Sequence, residues 1–505
     1  MKAVKISFLA MLLSWALFNP LYAGGGKEKQ AGATATLPVT IMAISYVPEP
    51  PKPDAPVLLE MEKYTGVKVA VQWMPANGYD EKVAVTLASG SDMPMVMQVN
   101  NHKATNIVNA ARAGVFWELS PYLKEFPNLS KLDPRRLENA AIDGKIYGLY
   151  RQRPVALNGV IYNRGWLEKL GLKEPTTIEE LYTMFYAFAK KDPDGDGKHN
   201  TLGLMVACQG VSGYWMSGYS SMLAYFGGPN RWMWDGTQVI PEFMTKEYVD
   251  MLRFYKRLLD EGIMNSDFPV ATWKKAREFM ENEKAGAIMG FLSTAQELQS
   301  TARKINPKIV FDVFGTVKGP RGERTEGARG FDGQFVFLKP SLKNENMLKH
   351  AMKFFDKLSD KEMQNLVRWG FEGRHYVIED GYRVRKPEFD LAFNMEVNPF
   401  RALKLHYDDL ADPGKLSQPY ARIREQYIRN EPFAVPNIAE PLVSQLFLER
   451  GIELERPVHD ASVKFILGAL DEAGFKQAIA AWESAGGRKI IEEYTAEYKR
   501  IKGIK

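Results

Sequence analysis

Three aspartates at alternate positions carry the sharpest chemistry in this chain. They lie in Asp192-Pro193-Asp194-Gly195-Asp196-Gly197-Lys198-His199-Asn200. Carboxylates spaced this way, followed by a glycine that permits a sharp turn, form the first half of a calcium loop. Asp192, Asp194 and Asp196 would each give a side-chain oxygen. Lys198 would give its main-chain carbonyl, and Asn200 a side-chain oxygen or a water. Three carboxylates held this close repel one another unless a cation sits among them. The acid usual at the twelfth position is missing, because that residue is Gly203. Closure therefore falls to a shorter arrangement through Thr201. The alternative is an Asp-Gly turn that ends the preceding helix and holds no ion. A Ca2+ ion here would be structural, pinning a loop.

Aromatic side chains are plentiful, with 10 Trp, 22 Tyr and 27 Phe. A flat ring can stack on the apolar face of a pyranose while polar neighbours hold its hydroxyls. Trp215, in Gly213-Tyr214-Trp215-Met216-Ser217-Gly218-Tyr219, sits in a glycine-rich run with no helical face to pack into, and is a candidate ligand contact. Trp232 and Trp234 precede an Asp235-Gly236 turn and read as buried anchors. Arg151 and Arg153 could clamp a carboxylate or phosphate at a cleft. The plainer reading makes them solvated surface. None of the six histidines forms a metal-spaced pair or accompanies a nucleophile motif. There is no phosphate-binding loop, nucleophile elbow or dinucleotide fingerprint. Paired carboxylates for glycoside hydrolysis have no fixed sequence spacing, so a secreted polysaccharide-degrading enzyme stays open as an alternative.

The elements that would position these groups alternate between strand and helix. Pro38 to Ser45, Val67 to Trp73 and Met93 to Val99 read as strands, separated by helices from Asp54 and from Tyr79. This rhythm predicts an α/β fold with a parallel sheet covered on both faces. Ligands of such sheets bind beyond the carboxyl ends of the strands, here Tyr46, Met74 and Asn100-Asn101. A second unit begins after Asp143-Gly144. Val155 to Tyr162 and Ala287 to Phe291 read as its strands. Thr177 and Glu180 form a capping box for a helix burying Leu181, Phe185 and Phe188. Gly315 to Gly333 reads as a long loop, and Glu345 to Trp369 as helical.

Composition bounds the answer. The chain has 505 residues, 45% apolar and 25% charged, with a formal charge of +5. This composition fits a globular protein of two or three cores, and the charge is too weak for a nucleic-acid footprint. Lys2, Lys5 and the apolar run Ile6 to Phe18 predict a secretory signal cut after Ala23, followed by a tether over 24–36. Cys208 is the single cysteine. No intramolecular disulfide and no lipid-bearing cysteine near the signal are expected.

Several segments together resemble a known family. LLEMEKYTGVKV, VTLASGSDMPMVM, DGKIYGLYRQRP, NRGWLEKLGLKEPTTIEELYTMFYAFAKKDPDGDGKHNTLGL, YFGGPNRWMWDG, LLDEGIMNSDF, KAGAIMG and WGFEGRHY follow one another from Leu58 to Tyr376. In that order they resemble the family 1 extracellular solute-binding proteins of bacterial ABC importers. The likeness is to the large oligosaccharide-binding subgroup, with the LplA-like and alginate-oligosaccharide-binding proteins. The resemblance implies two α/β lobes, each a mostly parallel sheet flanked by helices, with a hinged cleft between them. Residues 37–150 and 334–375 would form one lobe, 151–333 and 376–505 the other. It implies an oligosaccharide ligand, a membrane permease as partner, a monomeric periplasmic protein, and structural calcium on Asp192, Asp194, Asp196, Lys198, Asn200 and Thr201. Candidate ligand contacts are Tyr46, Asn101, Arg151, Arg153, Trp215, Tyr219, Trp273, Phe291 and Trp369. The two arginines lean toward an acidic sugar. A binding protein for a non-sugar solute and a sensory partner of a membrane kinase are alternatives that the same fold would serve.

Overall fold

The computed structural model describes residues 38–210, 215–407, 410–416 and 418–504. The expected signal sequence and tether lie outside the described residues. Among the described residues no helix is long and apolar enough to cross a membrane. The strands that matter for function are β1 (Val39–Ser45), β2 (Val69–Pro75), β3 (Val96–Val99), β4 (Gly148–Gln152), β5 (Asn158–Asn163), β6 (Ala287–Phe291), β7 (Phe311–Phe314), β8 (Gly322–Glu326), β9 (Phe331–Phe337) and β10 (Ala434–Val435). The helices used below are α1 (Pro56–Thr65), α2 (Tyr79–Ser89), α3 (Ile178–Lys190), α4 (Lys246–Asp260), α5 (Trp273–Glu281), α6 (Thr294–Ala302), α7 (Glu345–Leu358), α8 (Lys361–Trp369) and α9 (Gln445–Ile466).

β1 is apolar along almost its whole length, as a strand covered on both faces must be. Val39, Ile41 and Ala43 join Phe335, Phe337 and Phe355 in one core, beneath α1 and α7. Met42 and Ile44 point the other way and meet Met97, Val336 and the α2 residues Tyr79 and Val83. The alternation is the two-residue period of a pleated strand. The sheet order is β2-β1-β3-β9-β4. β1 runs parallel to β2 and β3, and β9 runs antiparallel between β3 and β4. The carboxyl ends of β1, β3 and β4 therefore share one edge with the start of β9.

The second sheet has the order β6-β5-β7. The two-lobe α/β architecture stands, but here the expectation of a mostly parallel sheet fails. β5 is antiparallel to both neighbours. The unit β6-α6-β7 makes a parallel crossover with room for one strand, and β5 fills it in the reverse direction. Leu181, Phe185 and Phe188 of α3 pack against Tyr248, Met251 and Tyr255 of α4 and Phe465 of α9 in a separate core. The capping box of Thr177 and Glu180 is present at the start of α3.

Three other expectations change. The segment Gly315 to Gly333 is not a loop: it holds Val317–Gly319, β8 and the start of β9. Helix 345–369 is two helices, divided at Ser359 and Asp360. The break has a tertiary cause, because Asn128 Nδ2 donates to the Asp356 carbonyl (2.9 Å) and to Asp360 Oδ1 (2.8 Å). Phe393, Val397, Phe400, Leu403 and Leu405 pack in the first core, so the chain up to about 405 belongs with the first sheet and not the second.

Two lengths of chain joining the sheets run side by side. Arg153 N donates to Gly330 O (2.9 Å), and Ala328 N to Val155 O (2.8 Å). Gly327 N donates to Val435 O (3.0 Å), which ties this ribbon to β10. A side chain at Gly327 would press on that same carbonyl. Phe355 is the ring on which Phe335 (4.8 Å) and Phe354 (5.3 Å) converge. Phe355→Ala should cost about 3–5 kcal/mol, read as a lower urea midpoint by circular dichroism.

Candidate ligand-binding site

The edge of the first sheet collects basic and aromatic groups. Tyr46 follows β1 and is 67% exposed, and Asn101 is exposed beyond β3. Asn101 Oδ1 accepts from Lys103 N (3.1 Å), which fixes the turn after β3. Arg151 is not solvated surface: it is 4% exposed. Its Nη1 donates to Asp332 O (3.3 Å), and the Tyr46 phenol is a second partner. Its Nε is buried with no partner among the described residues. Burial, and then the charge of Arg153, press the Arg151 guanidinium below its ordinary pKa. Arg153 pairs with Asp332 Oδ2 (3.1 Å) and lies over the Tyr407 ring at 5.9 Å. Arg329 adds a third cation that sequence reading missed. It reaches Phe331 O (2.9 Å) and Asn100 O (3.5 Å). It lies in the segment read as a loop, where nothing marks it.

The edge of the second sheet that continues into the crossing strands holds a pocket of about 120 Å³. Asn158 at the start of β5 pairs with Phe291 at the end of β6, so both lie on the edge that continues into the crossing strands. Trp273 opens α5 and lines the pocket with Phe291, Met289, Ser220 and Glu326. Thr272 caps this helix by accepting from Lys275 N (3.1 Å), and Trp273 N donates to Gln209 O (2.8 Å), which positions the indole. Phe291 is 43% exposed and offers a ring face. Glu326 is 5% exposed and accepts from Ser221 Oγ (3.1 Å). The Ser220 hydroxyl is buried beside the Tyr219 phenol. Trp273 and Phe291 are thus brought together, while Asn158, Ser220 and Glu326 went unnoticed in the sequence.

Tyr219 and Trp369 offer no face to a ligand. Tyr219 is fully buried, and its hydroxyl accepts from Arg231 Nη1 (3.0 Å). Arg231 also faces Glu242 and Glu455, and burial pushes the Glu242 carboxyl up to about 7. Trp369 ends α8, is 9% exposed, and donates from Nε1 to Asp412 O (3.0 Å). Trp215 stacks on His459 (5.8 Å, 15°) and tilts against Tyr219 at 5.1 Å, so at least one of its faces is covered. Trp232 is buried against Tyr494, and Trp234 stacks on Tyr498 at 5.0 Å, the anchoring role read for both.

Asp192, Asp194 and Asp196 place carboxylate oxygens within 4.8 Å of one another. Gly195 N and Gly197 N both donate to Asp192 (3.1 Å each), and both glycines take the left-handed backbone that the curl requires. Asn200 Nδ2 donates to Asp196 Oδ2 (3.1 Å). Burial, and then hydrogen bonding with Asp192, raise the Asp194 pKa. The donor set fits a hard oxygen-seeking ion. The Thr201 hydroxyl is buried and donates to Phe188 O (2.7 Å). No acid could replace Gly203, since a side chain there would run into the Phe185 carbonyl.

Residues 46–365 match the model of the bacterial extracellular solute-binding proteins, and the chain belongs to that family. It is 35% identical to the polygalacturonan/rhamnogalacturonan-binding protein YtcQ of Bacillus subtilis, over 94% of each chain. It is 34% identical to the lipoprotein LipO of the same organism, over 92% of this chain and 93% of LipO. Its fold is that of a human-milk-oligosaccharide (HMO)-binding, ABC-transporter-associated solute-binding protein from Bifidobacterium longum infantis, with a TM-score of 0.69 at 17% identity. That likeness covers 92% of this chain and 99% of the other.

Burial, and then Arg231, hold the His459 imidazole down at about 3. A folded-state pKa below the unfolded value near 6.5 means that unfolding takes up a proton, so stability is lost as pH falls from about 6.5 toward 3. His459→Gln should lose less melting temperature than wild type between pH 7 and pH 4.5 in parallel thermal scans.

Proposed function

We propose that the protein captures an acidic oligosaccharide between its two lobes and delivers it to the membrane permease of an ABC importer. The observation that carries this reading is the juxtaposition across the crossing strands. Arg151, Arg153 and Arg329 line one edge, and the pocket of Trp273 and Phe291 lines the other. Guanidinium groups match carboxylates, and ring faces match the apolar faces of sugars. The 35% identity to a protein named for binding polygalacturonan supports the same ligand class. In this reading one lobe comprises 38–152 and 330–405, and the other 153–329 and the remainder. A ligand that touches both lobes gains contacts only in the closed form, and this differential affinity drives closure. The closed pair is what the permease recognises. The protein acts outside the cytoplasmic membrane after removal of its signal sequence at Ala23, as a monomer. A secreted hydrolase is disfavoured, because the family is one of binding proteins.

Calcium on Asp192, Asp194 and Asp196, with the Lys198 carbonyl and Asn200, would pin the loop after α3 and supply no chemistry to the ligand.

Trp273→Ala should weaken binding of an oligogalacturonide by about tenfold in calorimetry while leaving the circular dichroism spectrum unchanged. Unaltered affinity would remove the pocket from the site. Millimolar calcium should raise the melting temperature of wild type, by the equivalent of about 2.7 kcal/mol where the ion reaches a hundred times its Kd. Asp194→Asn should abolish that rise, and a rise that persists would place the ion elsewhere.

A further inference from the structure

We propose that Asp332 is a specificity-determining residue, an internal carboxylate that occupies Arg153 and that the ligand's own carboxylate has to displace. This rests on the acidic-oligosaccharide reading above and adds a competing group to it. A bulge in β9 puts the residue in place. The register of β9 against β4 shifts between Phe331 and Gln334. Gly333, inside that interval, takes a left-handed backbone (φ +74°), and a side chain on it would run into Val99 O at 2.7 Å. A bulged residue leaves the ladder, so its acceptors can be aimed elsewhere. Asp332 turns both of its acceptors toward the arginines. Its carbonyl accepts from Arg151 Nη1 (3.3 Å), and its Oδ2 accepts from Arg153 Nη2 (3.1 Å).

The two contacts differ in permanence. The carbonyl is fixed backbone and Arg151 is buried, so that bond holds the shape of the edge. The Arg153 pair is a single hydrogen bond between side chains 29% and 50% exposed. A fully engaged pair in this chain looks different: Arg112 meets Asp143 through both Nε (2.8 Å) and Nη2 (3.0 Å). A half-exposed, one-point pair shifts an equilibrium by no more than about fivefold, so it can be exchanged. Arg153 keeps its place when Asp332 leaves, because Nη1 also donates to Gln152 O (3.0 Å) and the guanidinium lies over the Tyr407 ring. A ligand carboxylate arriving in fork geometry replaces one bond by two, and Asp332 turns to solvent. Every anion meets this competitor. A small free anion has nothing else to hold it and gains little by displacing a tethered carboxylate at high effective concentration. A chain already held by its rings brings its carboxylate to Arg153 at a comparable effective concentration and replaces Asp332. Asp332 therefore keeps stray anions off the edge and leaves it open to a chain that touches both lobes.

Calorimetry at pH 7 tests this with an oligogalacturonide and with its methyl ester of the same length, which keeps the rings and removes the charge. Asp332→Asn keeps an acceptor oxygen for Arg153 but not the carboxylate. It should bind the acidic chain about threefold to fivefold more tightly than wild type, and the ester within about twofold of wild type. Its edge carries one more uncompensated positive charge, so rising NaCl should weaken its hold on the acidic chain more steeply than that of wild type. In an Arg153→Gln background the gain from Asp332→Asn should vanish, since the competitor then has nothing to occupy. Asp332→Ser should repeat the gain, and decides the matter should Asp332→Asn not fold. A residue that merely steadies Arg153 would give the opposite sign. Unchanged or weaker binding of the acidic chain, an equal gain for the ester, or a gain that survives Arg153→Gln would overturn the proposal while leaving oligosaccharide capture standing. Failure of wild type to bind the acidic chain would overturn both.

Discussion

The paired crossing strands are the constraint on which the rest depends. Two backbone hydrogen bonds, Arg153 to Gly330 and Ala328 to Val155, hold them in register between the sheets. This ribbon joins the edge with Tyr46, Asn101 and the arginines to the edge with Phe291, Asn158 and Glu326. Each sheet has its own apolar core, so each half keeps its geometry whatever the ribbon does. Backbone bonds of this kind are directional but few. Such a joint resists shear between the edges more strongly than it resists rotation about its own length, the combination that hinge closure needs.

How far the sequence discloses this arrangement differs between the two halves. In the first, strand follows helix at close range, and the hydrophobic period alone places β1, β2, β3, α1 and α2 to within a few residues. The carboxyl-edge rule then points directly at Tyr46 and Asn101. In the second half, the partners of β5 lie more than a hundred residues away, so periodicity finds the strands and not their direction. The short strand β8 was hidden for a related reason. Gly322, Arg324 and Glu326 carry little apolar signal, because pairing to Val317–Gly319 on one side and to β10 on the other, rather than propensity, makes them a strand. With β8 unread, Glu326 and the neighbouring Arg329 had no visible address.

Aromatic residues show a second limit. Residue type says that a ring can stack on a sugar, but not which side of the chain it faces. Trp273 sits at a helix start on the sheet edge and meets the pocket, while Trp369 sits at a helix end and is consumed by the Asp412 carbonyl and the first half's packing. Tyr219 is diverted by charge. Arg231 is half-buried in a left-handed backbone conformation, and Tyr219, Glu242 and Glu455 gather around it because a guanidinium drawn out of water must be surrounded by acceptors.

That buried cluster also bears on how the pocket is held. Ser217, Gly218 and Ser220 line the pocket, while their neighbours Trp215 and Tyr219 belong to the packing around Arg231 and α9. The pocket-lining segment is therefore anchored from behind by α9, through the His459 stack and the Glu455 contact with Arg231. Val443 and Leu448, at the other end of that helical region, pack on the first half's core. The wall of the pocket and the opposite lobe are thus fastened to one helix. On the proposed function, a ligand that orders the wall and a motion that closes the lobes act on this same helix, a route by which a contact inside the cleft biases the position of the second half.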